Sequence, residues 1–227
     1  MHHSLAAIDG ALAAGQTVLL SNPHNPSGRA FAAAELAALA RARPQGTLVV
    51  DESYVEFCAD PAHWSLIGVD ADNVAVVRSP SKFFGLAGAR VGVAWSPSPA
   101  IRSLLTPARG SWPVSAIEVA PVAAALADHA WTNQNRATTL ADTAWLVDLL
   151  DRVGPSLGRV VDGAVTHYRL LATERAAALA HALAEAGIGV RLLGPAHGLP
   201  LPAVRVTAPA ERDQAVVAAA FEAVAAA

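Results

Sequence analysis

Apolar residues in the first half of the chain fall in short unbroken runs and do not alternate with polar ones. Residues 17–21, 47–50, 73–78 and 91–95 are such runs, and they predict buried strands. Residues 5–14, stopped by Gly15, and 32–43, ended by Pro44, predict helices between them. Continuous apolar strands alternating with helices predict a parallel or mixed sheet covered on both faces. Two longer helices are predicted over 115–129 and 131–153, with a break at Gly154-Pro155. From Arg159 onward the pattern changes. Short strands at 160–161, 166–172, 190–193 and 204–206 are interleaved with helices at 174–186 and 211–226, the last preceded by Pro209. The expected fold class is therefore α/β: a three-layer, mixed and mostly parallel sheet over residues 1–130, a linking helix over 131–153, and a small C-terminal α+β domain over 154–227. No internal repeat is present, and the alanine-rich stretches favour helix.

Composition narrows the class of protein. The chain has 227 residues, 53% hydrophobic and 15% charged, which excludes a disordered chain and allows one large domain or one and a half. A net charge of -3 is no reason to expect nucleic acid or an anionic membrane as partner. No apolar run reaches the length of a membrane span. Cys58 is the single cysteine, so no intrachain disulfide is available and a reducing cytoplasm is the expected location. Met1-His2-His3-Ser4 lacks the basic and apolar regions of a signal peptide. Neither the His2-His3 pair nor His24, His63, His129, His167, His181 and His197 has metal-ligand spacing. Glu52 and Glu56 are expected to have local partners or to be solvated.

The candidate chemistry lies at strand ends, where open α/β sheets bind ligands. Asn25, Asp51 and Lys82 each follow a predicted strand, so three loops could converge on one crevice. Lys82 lies within Ser79-Pro80-Ser81-Lys82-Phe83-Phe84-Gly85-Leu86-Ala87-Gly88-Ala89-Arg90, a stretch of apolar and small residues. A lysine amine with a lowered pKa can hold a carbonyl cofactor as an imine and move a proton at a substrate Cα. Phe83 and Phe84 are expected to supply apolar surroundings and Arg90 positive charge. The competing reading is an exposed surface lysine. Ser79, Ser81 and Arg90 suit a phosphate dianion, or else an ordinary turn. Asp51 could keep a pyridine nitrogen protonated, or cap the next turn. Tyr54 could hydrogen-bond a cofactor phenolate oxygen, O3′, or be a half-buried core tyrosine. Asn25, stiffened by Pro23 and Pro26, could reach O3′ from the other side. Arg205, in the apolar strand Val204-Arg205-Val206, needs an anion: a substrate carboxylate or an internal glutamate. An amine, an acid, a phenol, an amide, two hydroxyls and a guanidinium in this order suit pyridoxal 5'-phosphate (PLP).

These residues resemble the fold-type-I PLP enzymes of the class I/II aminotransferase group, in the branch of histidinol-phosphate aminotransferase and threonine-phosphate decarboxylase. Asn22-Pro23-His24-Asn25-Pro26-Ser27-Gly28 resembles the family's Asn-Pro-x-Asn-Pro-Thr-Gly turn, and Asp51-Glu52-Ser53-Tyr54-Val55-Glu56-Phe57 resembles the histidinol-phosphate branch. Lys82-Phe83-Phe84-Gly85-Leu86-Ala87-Gly88, followed by Gly110-Ser111-Trp112-Pro113-Val114-Ser115, looks more like the decarboxylase branch. The resemblance implies that Lys82 is the Schiff-base lysine and that Asp51 pairs with the pyridine nitrogen. It assigns Asn25 and Tyr54 to O3′, Ser79, Ser81 and Arg90 to the phosphate, and Arg205 to the substrate carboxylate, with Asn25 nearby. The family also carries a further N-terminal stretch, with a phosphate loop, a ring-stacking aromatic and a tyrosine that reaches the partner subunit, none of which matches this chain. A fragment or a short protein with part of a site is the expectation. The implied function is a PLP-dependent aminotransferase acting on a small amino-acid or amino-phosphate substrate. A decarboxylase of a phosphorylated amino acid, and a truncated, weakly active PLP-fold protein acting through association, are the other readings. A homodimer, or association with a chain supplying the missing N-terminal half, is the implied assembly.

Overall fold

The computed structural model describes residues 4–111 and 113–227. His2, His3 and Trp112, the last from the 110–115 motif, lie outside the described residues. Contacts divide the chain into two compact units: residues up to His24 with Ala30–Gln134, and Asn135–Ala227 with Asn25–Arg29.

The larger unit contains α1 (Leu5–Ala13), β1 (Thr17–Ser21), α2 (Ala33–Ala42), β2 (Thr47–Asp51), α3 (Pro61–Trp64), β3 (Val74–Arg78), β4 (Val93–Trp95), α4 (Pro99–Ala108) and α5 (Ala116–Ala127). Its strands lie in the order β1-β2-β3-β4, the first three parallel and β4 antiparallel. This mixed, mostly parallel sheet is the one expected. Successive strand residues face opposite sides of a sheet, and that alternation sorts this one. Leu20, Leu48, Val50, Val74 and Val76 pack against Ile8 and Leu12 of α1 and Leu36 and Ala40 of α2. Gly46 is required there, because a Cβ would lie 2.6 Å from the Leu12 carbonyl oxygen. Leu19, Val49, Asp51 and Val77 belong to the opposite face, where Leu19 is 71% exposed. Register pairs Ser21 with Asp51 and Asp51 with Val77, so the carboxyl ends of β1, β2 and β3 are level. Helix α4 was not expected from the sequence. Ser98 caps it, Pro99 opens it, and Ile101, Leu104, Leu105 and Ala108 recur at helical spacing, so the signal was present in the sequence although none of these residues is buried.

The smaller unit contains α6 (His129–Leu157) from Asn135 on, β5 (Arg159–Val160), β6 (Tyr168–Ala172), α7 (Ala176–Glu185), β7 (Arg191–Leu193), β8 (Ala203–Thr207) and α8 (Glu211–Ala226). Its sheet is antiparallel, in the order β5-β6-β8-β7. Leu171, Val204 and Val206 bury one face against Leu146, Leu149 and Leu150 of α6, Leu179 and Leu183 of α7, and Phe221 of α8. The break expected at Gly154-Pro155 does not occur. Pro155 falls in the last turn of α6, where the Gly158 N–H still bonds the Gly154 carbonyl at 2.8 Å, so little helix is lost. Segment 25–29 joins this unit through an Arg29–Ala164 bridge and a 2.8 Å bond from the Val165 N–H to the Gly28 carbonyl. Gly28 has φ +73, and a Cβ there would meet Ala164 Cβ and Thr166 Oγ1 at 2.8 Å.

Candidate active site

In the larger unit the groups stand just beyond β2 and β3. Asp51, half-buried, ends β2, and its Oδ1 accepts the Ser53 N–H at 2.9 Å and the Ser53 hydroxyl at 2.5 Å. That is a turn-capping aspartate. Both bonds fall on Oδ1, which leaves Oδ2 open to a donor from outside the chain. Tyr54 is half-buried, and Lys82 Nζ lies 5.3 Å from its ring centroid, within cation–π range. Ser79 Oγ and Ser81 Oγ are 2.7 Å apart and half-buried. The β2 and β3 loops thus bring together an acid, a phenol, two hydroxyls and an amine.

Two expectations concern Lys82's surroundings. Its side chain is exposed and lies over Tyr54. The buried Phe83 turns away into an aromatic group, edge-on to Phe57 at 5.1 Å, Phe84 at 5.2 Å and Trp131 at 5.9 Å. Those rings brace the loop, and Lys82 itself is exposed. Arg90 is exposed, and its guanidinium donates to the Ala87 carbonyl at 3.2 Å. Its backbone has φ 51, the one left-handed non-glycine conformation among the described residues, a strained state that structures retain where a loop is held in a particular shape.

A second set of polar groups lies beneath these loops. Glu52 is fully buried. Its Oε1 accepts the Leu66 N–H at 2.6 Å, and its Oε2 accepts Ser65 Oγ at 2.8 Å and Arg78 Nε and Nη2 at 3.0 and 2.8 Å. Arg78 Nη1 reaches Glu56 at 2.9 Å. Glu52 is thus not solvated, as one of the two expectations had it, and Glu56 is half-buried beside Arg78. Asn22 is also buried, and its side chain bonds Phe31 twice and Trp64 once. The first asparagine of the Asn-Pro motif therefore holds the turn.

In the smaller unit, Arg205 stands in β8 over the ring of the buried Tyr168, 5.0 Å from its centroid. Its Nη1 donates to Asn25 Oδ1 at 2.5 Å. Among the described residues no carboxylate pairs with Arg205, and its buried Nε has no hydrogen-bond partner. The internal glutamate weighed above is absent there. His167 lies nearby; burial first, then the charges of Arg205 and Arg169, hold its imidazole at a pKa of about 4, so it is neutral at pH 7.

Comparison with known proteins now bears on this geometry. The family model described as aminotransferase class I and II matches residues 1–224. The chain belongs to that family. It is 35% identical over 199 residues to a histidinol-phosphate aminotransferase of Psychrobacter arcticus, covering 84% of this chain and 51% of that protein. It superposes on the histidinol-phosphate aminotransferase of Sinorhizobium meliloti in complex with pyridoxal-5'-phosphate with a TM-score of 0.75 and 26% identity, over 92% of this chain and 57% of that one. The L-threonine-O-3-phosphate decarboxylase of Porphyromonas gingivalis, at 24% identity and TM-score 0.77 over 93% of this chain and 65% of that one, shares the fold. The chain spans about half the length of the curated relative.

For this aminotransferase-family chain, sequence reasoning assembled the loop residues and missed the support below them. The signal was present in Arg78, an arginine at the end of an apolar strand, the same feature that singled out Arg205. Among the described residues, no helix is long and apolar enough to cross a membrane, and no three His, Cys, Asp or Glu side chains are grouped to hold a metal.

Proposed function

We propose that this chain is a PLP-dependent aminotransferase acting on an amino acid or amino-phosphate, with Lys82 as the residue that carries the cofactor. The observation that carries the reading is the meeting of Lys82 with Tyr54, 5.3 Å from amine to ring, in loops that follow adjacent parallel strands. The donor set fits the cofactor: a free carboxylate oxygen on Asp51 for a pyridinium, a 2.7 Å hydroxyl pair for phosphate, and an amine for the aldehyde. When bound, PLP supplies a carbonyl carbon and an electron-accepting ring.

Lys82 would hold the cofactor and would move the proton at the substrate Cα. Asp51 keeps the ring nitrogen protonated. Tyr54 would donate to O3′, and Ser79, Ser81 and Arg90 would hold the phosphate. Arg205, whose buried Nε lacks a partner, takes the substrate anion with Asn25 beside it. The relatives named histidinol-phosphate aminotransferase favour transamination over decarboxylation. The same reading makes the protein cytoplasmic and a homodimer, or a partner of a chain supplying more of the family fold.

The test is reduction with borohydride after adding PLP to the purified protein, followed by peptide mapping. A cofactor adduct on Lys82, and amino-acid-driven loss of its absorbance without release of carbon dioxide, are the expected results. Folded protein that acquires no adduct overturns the reading.

A further inference from the structure

Asp51 and Glu52 are neighbours in sequence but face opposite sides of the sheet, as do Arg78 and Ser79. Glu52 and Arg78 continue the core face of Val50 and Val76, whereas Asp51 and Val77 share the other face. A 2.8 Å bond from the Glu52 N–H to the Val77 carbonyl carries the β2–β3 ladder one residue past the end of β2. At that point Arg78 grips Glu52 through two nitrogens, Glu56 through a third, and Ser65 Oγ at 2.6 Å, while Glu52 also holds the Leu66 N–H. One buried ion pair therefore ties together the ends of two strands, the turn after Tyr54 and the segment after α3. A bidentate arginine–carboxylate pair fixes orientation as well as distance.

Resting on the PLP reading above, we propose that Glu52, Arg78 and Glu56 form a positioning clamp: from the core side they set the backbone that aims Asp51 on one loop and Ser79, Ser81 and Lys82 on the other. None of the three touches the cofactor. Their effect is to hold the two loops at one separation before the cofactor arrives, which lowers the ordering that binding must otherwise supply.

Removing one partner of a buried pair can unfold a protein, so the deciding variant removes both charges. In the Glu52→Gln, Arg78→Met double variant, glutamine still accepts the Leu66 N–H and methionine fills the arginine's volume. Arg78→Lys keeps the charge and loses the fork. The wild type, Arg78→Lys and the double variant are compared for circular dichroism, PLP dissociation constant, absorbance of the Lys82-bound cofactor and its pH titration, and amide hydrogen exchange without PLP. The expected outcome is unchanged circular dichroism and a PLP dissociation constant raised about 10- to 100-fold in the double variant, about 1.4 to 2.8 kcal/mol at a factor of ten per 1.4 kcal/mol. A displaced pKa of the bound cofactor, faster exchange confined to residues 51–57 and 79–86, and partial recovery in Arg78→Lys complete the expectation. If wild type and double variant bind PLP equally with identical spectra, the clamp is overturned and the PLP reading stands. If the wild type takes no PLP, that reading fails and hydrogen exchange decides the clamp: faster exchange in both loops supports it, and unchanged exchange overturns it.

Discussion

In the larger unit the candidate groups stand in loops beyond the ends of parallel strands, whereas in the smaller unit Arg205 stands within β8 itself. Both units bury one sheet face under helices, and Asp51 and Arg205 belong to the other face. They differ in what sets the side chains. Parallel strands end level, so loops leaving them can meet, but a loop needs holding. The Asp51–Ser53 turn, the Phe83 rings and the Glu52–Arg78 pair do that. An antiparallel ladder needs no such brace: pairing of β6 with β8 sets Leu170 opposite Arg205, and the ring of Tyr168 on the same face supports the guanidinium. Strand-end sites can thus take on new chemistry by loop variation, while an in-strand site is tied to its register.

The comparison can be broken most sharply at its two cations. Lys82→Ala is expected to abolish the borohydride-trapped adduct completely. Arg205→Lys is expected to leave that adduct intact and raise KM about 10- to 100-fold, as a lost bidentate, charge-assisted contact would. Loss of the adduct in Arg205→Lys would show that the two units do not divide the work in this way.

Next in size is the core of the smaller unit. Phe221 is fully buried, and Phe221→Ala is expected to cost about 3 to 5 kcal/mol in thermal or denaturant unfolding. Hydrogen exchange should rise in α6–α8 and β5–β8 and stay unchanged in the loops after β2 and β3. A rise in both units would mean that their cores unfold as one.

His167 sharpens the contrast through pH. Its folded pKa is lowered from 6.5 to about 4, so the unfolded chain binds more protons in that interval. The stabilising effect of keeping it neutral is present above pH 6.5 and is lost as pH falls towards 4, with a slope of at most about 1.4 kcal/mol per pH unit. His167→Gln should flatten stability between pH 4 and 6.5. An unchanged acid limb would remove His167 from the account.

The smallest expected effect lies at the start of α5 in the larger unit. Ser115 caps the helix, and its hydrogen bonds hold the Glu118 carboxyl below the usual carboxylate range. Ser115→Ala is expected to cost about 1 kcal/mol or less on this exposed surface and to let the Glu118 pKa rise towards its ordinary value, readable by NMR titration.

Much of this was legible in the chain. Strands β1 to β3 were visible as unbroken apolar runs because a strand buried among neighbours has no polar face. The order of Asn25, Asp51, Tyr54, Ser79, Ser81 and Lys82 pointed to a cofactor class because loops after parallel strands open on the same edge. Helix α4 carried a cap, an opening proline and apolar residues at helical spacing and was not expected all the same, whereas the continuity of α6 past Gly154 was not legible, because it depends on a proline placed close enough to a helix end to be tolerated.

By itself, the sequence determined the alternation of elements, the strand-end location of the reactive groups and the motif order that goes with membership of the aminotransferase family. Hydrophobic period and turn residues are local properties, and they suffice for that. Only the tertiary structure decided which polar groups meet. It made Glu52, expected to have a local partner or to be solvated, the buried partner of Arg78, 26 positions away, and gave Arg205 an asparagine 180 positions away in place of a glutamate. It also set the half-buried His167 beside Arg205 and Arg169. The physical reason is that a polar side chain's partner is chosen by sheet register and by which distant segment packs alongside, and neither leaves a periodic trace in the residues next to it.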